Sequence, residues 1–355
     1  MDTQQYLRRL PKVDLHLHLA GTLQPQTLLD LARKNGVGLP TWDPDKIYWF
    51  RDFYDFLRIL ELIAKCIITK DDFARVSYEA MRDAGVAGNL RYAELFFNPQ
   101  YHYPQGIAYP TIVDGYIEGL EAAEKDFGIV GRLIPSINRE LGAGAAVDMM
   151  NDVLANRRDR VIGIGMDCAE YKGKPHLFAE AYAMAGRSGL RCTAHVCEDN
   201  QTLDQAPPSH VTACIDILGC ERLDHGYNML ADPTVVGRCR DCGIPFTVCS
   251  HTCVASRFPK RWNSIRQMRE AGLNLTLATD DPPMFGTDIG QAYVTASDEL
   301  QISPQQAVEL ALSGIDASWM SDGEKRDMRL RFCSEIDVLA SELERLIVTT
   351  TRQAT

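Results

Sequence analysis

The sequence predicts an α/β protein of the (β/α)8 barrel class, read as one domain over residues 1–355. Three observations lead there. Eight short, apolar, β-rich runs recur along the chain. Most are separated by 20–30 residues, room for one helix and its loops. The first run is followed by "HLAGTLQPQ", which lacks the G-x-G-x-x-G loop that an open doubly wound sheet would place there. A length of 355 residues is ordinary for such a barrel with insertions.

The runs are "VDLHLHL" (13–19), "LRYAELFF" (90–97), "GIVGRLIPSI" (128–137) and "RVIGIGMD" (160–167), then "LRCTAHV" (190–196), "RLDHG" (222–226), "IPFTVCS" (244–250) and "LNLTLATD" (273–280). Helical patterns fill the intervals, for example 109–128 and 174–189, the second ending on Gly. The first interval is longer, about seventy residues, and predicts a helical insertion over about 25–88. Its helices are expected at 25–36, with Pro near the start and Gly at the end, then roughly 51–69 and 71–84. An insertion at that place suits a lid. Its aromatics Tyr48, Trp49, Phe50, Phe53, Tyr54 and Phe56 either pack it onto the barrel or line a pocket. A last helical stretch over about 304–347 closes the chain.

Composition restricts the partners. A net charge of −11 with no Lys/Arg-rich run argues against nucleic acid. No run approaches a membrane span, and "MDTQQYLRRLPKVDL" lacks a secretory apolar core. Eleven scattered cysteines fit a reducing compartment better than a disulfide framework. The expectation is a soluble cytoplasmic protein acting on a small molecule, its oligomeric state open.

The chemistry gathers at the ends of the runs. Residues i and i+2 of a strand point the same way, so His16 and His18 project together toward the barrel mouth. There, at the C-terminal face, barrels of this class carry their sites. Two adjacent imidazoles in a leucine-rich strand are either a hydrogen-bonded core pair or metal ligands. His195, with Glu198 three residues on, ends the fifth run. His225 ends the sixth, and Asp280–Asp281 ends the eighth. His16, His18, His195 and Asp280 make a zinc-type set for one ion with room for water. His225, Asp281 and Glu198 remain as catalytic candidates. "CRDC" (239–242), with Cys249 and Cys253, is a weaker signal. Cys242 and Cys249 bracket one strand and so lie on the order of 20 Å apart, too far to share an ion. The short deaminase signature H-x-E…P-C-x-x-C is absent.

Together, "PKVDLHLHLAGTL", "HVCED", "LDHG" and "LATDDP" resemble the four ordered motifs of the adenosine/adenine deaminase family, metal-dependent barrels of the amidohydrolase superfamily. The likeness runs from about residue 11 to about 320. It implies one Zn²⁺ on His16, His18, His195 and Asp280, and hydrolytic loss of the 6-amino group of a purine to give the 6-oxopurine and ammonia. It further implies that Glu198 donates to ring N1, His225 orients the attacking water and Asp281 holds N7. "GMDCAE" (165–170) and "AELFFNPQYHYPQGI" (93–107) look more like the microbial adenine-deaminase branch than the adenosine branch. Asp167 and Glu170 are therefore candidate contacts to the substrate, Glu170 toward the N3/N9 side.

Two positions depart from the family pattern. Ala20 stands where an acidic residue is usual, and Cys197 replaces the Gly of H-A-G-E. Extending the alternation of the first strand would point Ala20 into the pocket, leaving room for a ribose. This favours adenosine or a modified adenosine as substrate, with adenine as the alternative. Cys197 is expected to narrow the pocket beside Glu198. A zinc barrel hydrolase of another C–N bond, or a non-catalytic purine or metal binder, would lack a use for the acid at Glu198.

Overall fold

The computed structural model describes residues 1–249 and 261–353, and side chains of the last helix as far as residue 343. Parallel strands run β1 (Lys12–His18), β2 (Leu90–Phe97), β3 (Val130–Asn138), β4 (Gly163–Asp167) and β5 (Arg191–Cys192), hydrogen-bonded in that order. A second ladder runs β6 (His195–Val196), β7 (Leu223–His225), β8 (Pro245–Cys249) and β9 (Asn274–Ala278). Two joins turn the ladders into a barrel. β5 and β6 are halves of the single run 190–196. Thr193 N–H still bonds Ile164 on one side, while Ala194 carbonyl accepts Asp224 N–H on the other. At the far edge, His18 N–H bonds the carbonyl of Asp280, and Asp280 N–H bonds that of His16. The predicted fold is the observed one.

A short helix α1 (Thr3–Arg9) precedes β1, and the insertion after β1 holds α2 (Pro25–Asn35), α3 (Phe53–Cys66) and α4 (Lys70–Gly88). α2 carries Pro in its first turn and stops on Gly36 at φ 66°. α3 starts on an Asp52 cap and α4 on a Thr69–Asp72 capping box. α4 lies against α5 (Tyr109–Phe127) on the barrel wall, whereas α3 reaches over the mouth. The remaining wall helices are α6 (Gly142–Ala155), α7 (Ala179–Arg187), α8 (Ser209–Asp216), α9 (Pro233–Cys242) and α10 (Trp262–Glu270). After the last strand come α11 (Pro282–Phe285) and α12 (Ile289–Leu300). The closing stretch is two helices, α13 (Pro304–Ala317) and α14 (Asp322–Gln353), broken where Trp319 turns inward. Its indole stacks on the Arg222 guanidinium at 4.2 Å and lies against Gly163, where a Cβ would stand 2.4 Å from the ring.

Alternation along β2 fills the barrel interior. Tyr92, Glu94 and Phe96 point inward in successive layers. Low in the barrel, Glu94 accepts from Arg222 at 2.5 Å, from Tyr92 hydroxyl at 3.0 Å and from Trp319 N–H at 2.6 Å. One layer up, Phe96 stacks on His18 (5.0 Å, 27°) and meets His16 and His195 edge-on, making an apolar floor beneath the histidines. Gly165 makes room for it, since a Cβ there would stand 2.7 Å from the Phe96 ring. None of the described helices is long and apolar enough to cross a membrane.

Candidate active site and metal centre

Nε2 of His18 lies 3.3 Å from Nε2 of His16 and 3.0 Å from Nε2 of His195. Asp280 Oδ1 sits 3.3 Å from His16 Nε2 and 3.4 Å from His18 Nε2. All four residues are buried, and their ligand atoms fall within 4.8 Å of one another. Ligand atoms of a tetrahedral zinc, each 2.0–2.3 Å from the ion, stand about 3.3 Å apart, so the spacing fits the ion. The proton pattern fits it too. Thr247 Oγ1 donates to Asp224 at 2.7 Å and therefore accepts from His16 Nδ1 at 3.0 Å. That leaves the His16 Nε2 lone pair directed at the cluster. His16 Nε2 is thus free to ligate a cation placed among the four groups.

Asp224 supports this centre from below. It accepts from Thr193 and Thr247 hydroxyls, and its two oxygens lie 3.6 Å from His16 Nδ1 and 3.7 Å from His195 Nδ1. Asp14 accepts from His16 N–H and from Thr279 hydroxyl, which ties β1 to the end of β9. Arg139 Nη2 donates to the carbonyl of His195 at 2.6 Å. The first two lay in the quoted motifs and Arg139 did not. Asp14, two residues before His16, and Asp224, next to His225, could have been found as inward-facing acids beside candidate site residues, whereas Arg139 gave no signal.

Backbone at the rim explains how consecutive residues both reach the site. Cys168 (φ 70°), Cys197 (φ 54°), His225 (φ 72°) and Asp280 (φ 66°) are left-handed although none is glycine. The other such residues among those described, Asn89 and Gln301, are helix C-caps. Strand alternation sends Asp224 inward and His225 away. The left-handed turn brings His225 back, so its Nε2 lies 3.7 Å from Glu198 Oε1. Such strain concentrates at functional sites.

Glu198 is largely enclosed, its side chain 12% exposed, and its Oε1 accepts from Arg261 at 2.5 Å. Burial raises its carboxyl and Arg261 pulls it back; with Asp280 nearby the balance lies at about 7. Arg261 also bonds Asp199 and lies 4.9 Å from the Tyr227 ring. Burial, then the Asp280 charge, pushes the Asp281 carboxyl well above its usual range. His225 is driven well below 6.5, first by burial and then by His16 and Arg261, and stays neutral.

These groups open onto a cleft of about 420 Å³ of atom-free space. Its wall holds His18, His195, Glu198, His225, Asp280 and Asp281 on the barrel side. Asn98, Tyr101, Asp167 and Cys168 line one flank, and Phe53, Phe56, Leu57 and Leu60 of α3 cover it. Asp167 is fixed by Asn98 Nδ2, 2.8 and 2.9 Å from its two oxygens, and by the Cys168 thiol at 3.2 Å. Tyr101 hydroxyl meets the same thiol at 3.2 Å. Asn98, Tyr101, Cys168, Leu57, Leu60 and Arg261 were not singled out from sequence. The first three lay in the two stretches that carried the subgroup likeness. Of the six insertion aromatics, Phe53 and Phe56 line the cleft. Phe50 is buried behind them, and Tyr48 bonds the Leu23 carbonyl. Trp49 and Tyr54 are exposed, and Tyr54 hydroxyl meets that of Tyr171 across the mouth.

Three expected substrate contacts are placed elsewhere. β1 ends at His18, and Leu19 adopts helical backbone (φ −57°, ψ −39°). Ala20 therefore begins a 3₁₀ turn and is absent from the cleft wall. That turn instead seats Gly21 against Asp281, where a Cβ would meet Oδ1 at 1.7 Å. Cys197 turns its thiol to the Pro207 carbonyl, away from the cleft. The glycine usual at this place suits its left-handed φ. Glu170 uses both carboxylate oxygens on protein partners, His210 Nδ1 at 2.6 Å and Cys197 N–H at 2.8 Å. In the CRDC segment, Cys239 is buried and the Cys242 thiol faces the Cys239 carbonyl. Among the described residues neither joins a metal-type group. Cys253 lies outside the described residues.

Comparison with known proteins decides the family. The family model described as adenosine deaminase matches residues 11–335. The chain belongs to the adenosine deaminase family. An adenine deaminase of Streptomyces coelicolor is 34% identical over 93% of this chain and 96% of its own length. A zinc-bound amidohydrolase from Burkholderia ambifaria superposes with a TM-score of 0.88 at 32% identity, covering 97% of this chain and 96% of that one. The adenine deaminase of Arthrobacter aurescens gives 0.83 at 30% identity, over 94% and 99% of the two chains. This adenosine deaminase family chain is thus a metal-dependent hydrolytic deaminase of the purine type.

Proposed function

We propose that the protein deaminates adenine to hypoxanthine with one zinc ion held by His16, His18, His195 and Asp280. The observation that carries this reading is the likeness, over nearly the whole chain, to proteins named adenine deaminase. The nucleoside reading depended on Ala20 opening a path for ribose, and Ala20 is outside the cleft wall. The apolar cover of Phe53, Phe56, Leu57 and Leu60 suits a flat, uncharged base.

When bound, zinc at these ligands makes water a nucleophile at neutral pH. The chain's own residues do the rest. Glu198, carrying its proton, donates to N1, where electrons accumulate when C6 is attacked. Neutral His225, close to Glu198, orients the water, accepts its proton and passes it to the departing amino group, while Glu198 recovers a proton from the new C6 hydroxyl as the carbonyl forms. Asp281, protonated by its burial, donates to N7. The α3 cover excludes bulk water while the amino group leaves as ammonia.

The test is a panel of adenine, adenosine and 5′-modified adenosines with zinc-loaded enzyme, following 6-amino absorbance and ammonia. Adenine is expected to have the highest kcat/KM. A nucleoside turned over more efficiently than adenine overturns the reading.

A further inference from the structure

We propose that Glu170 is a positioning residue that sets the aim of the Glu198 acid through the backbone of Cys197. The inference rests on the deaminase reading, in which Glu198 is the proton donor.

Glu170 leaves the end of β4 and reaches across to the loop after β6. Its Oε2 accepts Cys197 N–H at 2.8 Å, and its Oε1 faces His210 Nδ1 of α8 at 2.6 Å. Its own N–H donates to Gln201 Oε1 at 2.7 Å. Glu170, His210, Gln201 and Cys197 are all buried. Each carboxylate oxygen has a protein partner, and the residue is absent from the cleft wall.

What this carboxylate holds is the residue immediately before Glu198, in a conformation a cysteine rarely adopts. Three anchors over-determine it. Glu170 takes its N–H, Asn228 N–H bonds its carbonyl at 2.8 Å, and the Pro207 carbonyl takes its thiol at 3.2 Å. Asn228 Nδ2 also donates to the Glu198 carbonyl at 3.2 Å. Relaxing Cys197 to an ordinary φ would swing Glu198 away from the cleft. Of the three anchors, Glu170 is the only ionisable side chain, and its geometry is set by a second buried partner, His210. Aiming an acid makes this spacing count for rate as well as for stability, because a misplacement near 1 Å costs about 100-fold in rate.

The experiment separates reach from charge in the full-length, zinc-loaded protein. Glu170→Asp keeps the charge but withdraws the acceptor by one methylene. Its kcat on adenine is expected to fall about 100-fold, with KM and zinc content close to wild type. Glu170→Gln keeps an acceptor of the same reach and should stay within about tenfold of wild type, well above the Asp variant. The proposal is overturned if Glu170→Asp turns over like wild type, or if Glu170→Gln is as slow as Glu170→Asp. It is also overturned if the loss appears in KM or zinc content instead of kcat. A wild type inactive on every 6-aminopurine sinks the deaminase reading instead. In that case a crystal structure of Glu170→Asp decides the positioning claim. Cys197 leaving the left-handed region with Glu198 displaced supports it, and an unmoved Glu198 refutes it.

Discussion

Replacing Glu198 by Gln should abolish the alkaline limb of the pH profile as well as most of the rate. The proposed reaction needs the acid form of Glu198. Its carboxyl is raised from 4.5 to about 7, by burial first, against the pull of Arg261. At pH 7 about half of the molecules then carry the proton, against about 1 in 300 for an unperturbed glutamate. The environment is thus worth roughly 150-fold in available acid at neutral pH. The sign follows from the raised value: activity is present below about 7 and falls about tenfold per pH unit above it. Bound zinc adds positive charge nearby and draws the limb downward, so about 7 is its upper position. Glu198→Gln cannot donate, and kcat/KM on adenine should drop about 10²–10⁴-fold with no limb left near 7. Arg261→Met removes a charge that lowers the carboxyl, so its limb should move to higher pH. The assay is kcat/KM by absorbance from pH 5.5 to 9 with zinc content measured at each point. A Gln variant within about tenfold of wild type, or one that keeps the same alkaline limb, refutes proton donation by Glu198.

Other perturbations test the scaffold. Asp224→Asn removes the carboxylate that orders Thr193, Thr247 and through it His16, and zinc affinity measured by chelator competition should fall about 10–100-fold. Glu94→Gln leaves Arg222 buried without its charge partner and should cost about 3–5 kcal/mol in urea unfolding, while kcat of the folded fraction stays near wild type. His102 is held down to about 4 by burial. The unfolded chain therefore binds a proton below about 6.5 that the folded chain refuses until about 4. Its share of stability is complete above about 6.5 and about 3 kcal/mol of it is lost as pH falls to about 4, a dependence that His102→Phe should flatten in pH-stepped urea melts.

Much of the barrel was legible because its period is simple. Apolar runs with helical intervals repeat eight times, and nothing competes with that pattern except the α3–α4 insertion. The proposed metal ligands were legible for a related reason. His16 and His18 occupy i and i+2 of an extended strand, so their common direction follows from the pleat. His195 and Asp280 were placed by motif order at other strand ends. What the pattern could not show is where the strand stops. Ala20 was assigned to the pocket by continuing an alternation that ends at His18, because Leu19 turns helical. Glu170 was assigned to substrate because its partners, His210 and the Cys197 amide, are 40 and 27 residues away in sequence. No local signal marks a carboxylate as already satisfied. The break in the last helical stretch was hidden likewise, since Trp319 is drawn in by Arg222 and Gly163, both distant in sequence.

The left-handed residues at the rim connect these successes and failures. An extended strand can present only every second residue to one face. A site that needs His195 and Glu198, or Asp280 and Asp281, from single strand ends must break that rule within one or two residues. Cys197 and Asp280 supply the break, as His225 does for its own side chain, each at positive φ. The neighbouring structure must then hold the strained backbone, and here it does so with buried polar groups. Glu170 holds Cys197, the ladder bonds of His16 and His18 hold Asp280, and Gly21 packs against Asp281. Residues that the motifs suggested as substrate contacts thus stand one layer behind the cleft wall. In this chain the "AGT" after the two histidines packs against the aspartate pair, and the cleft wall away from the histidines is formed by the α3 cover and the Asn98–Tyr101–Cys168 flank.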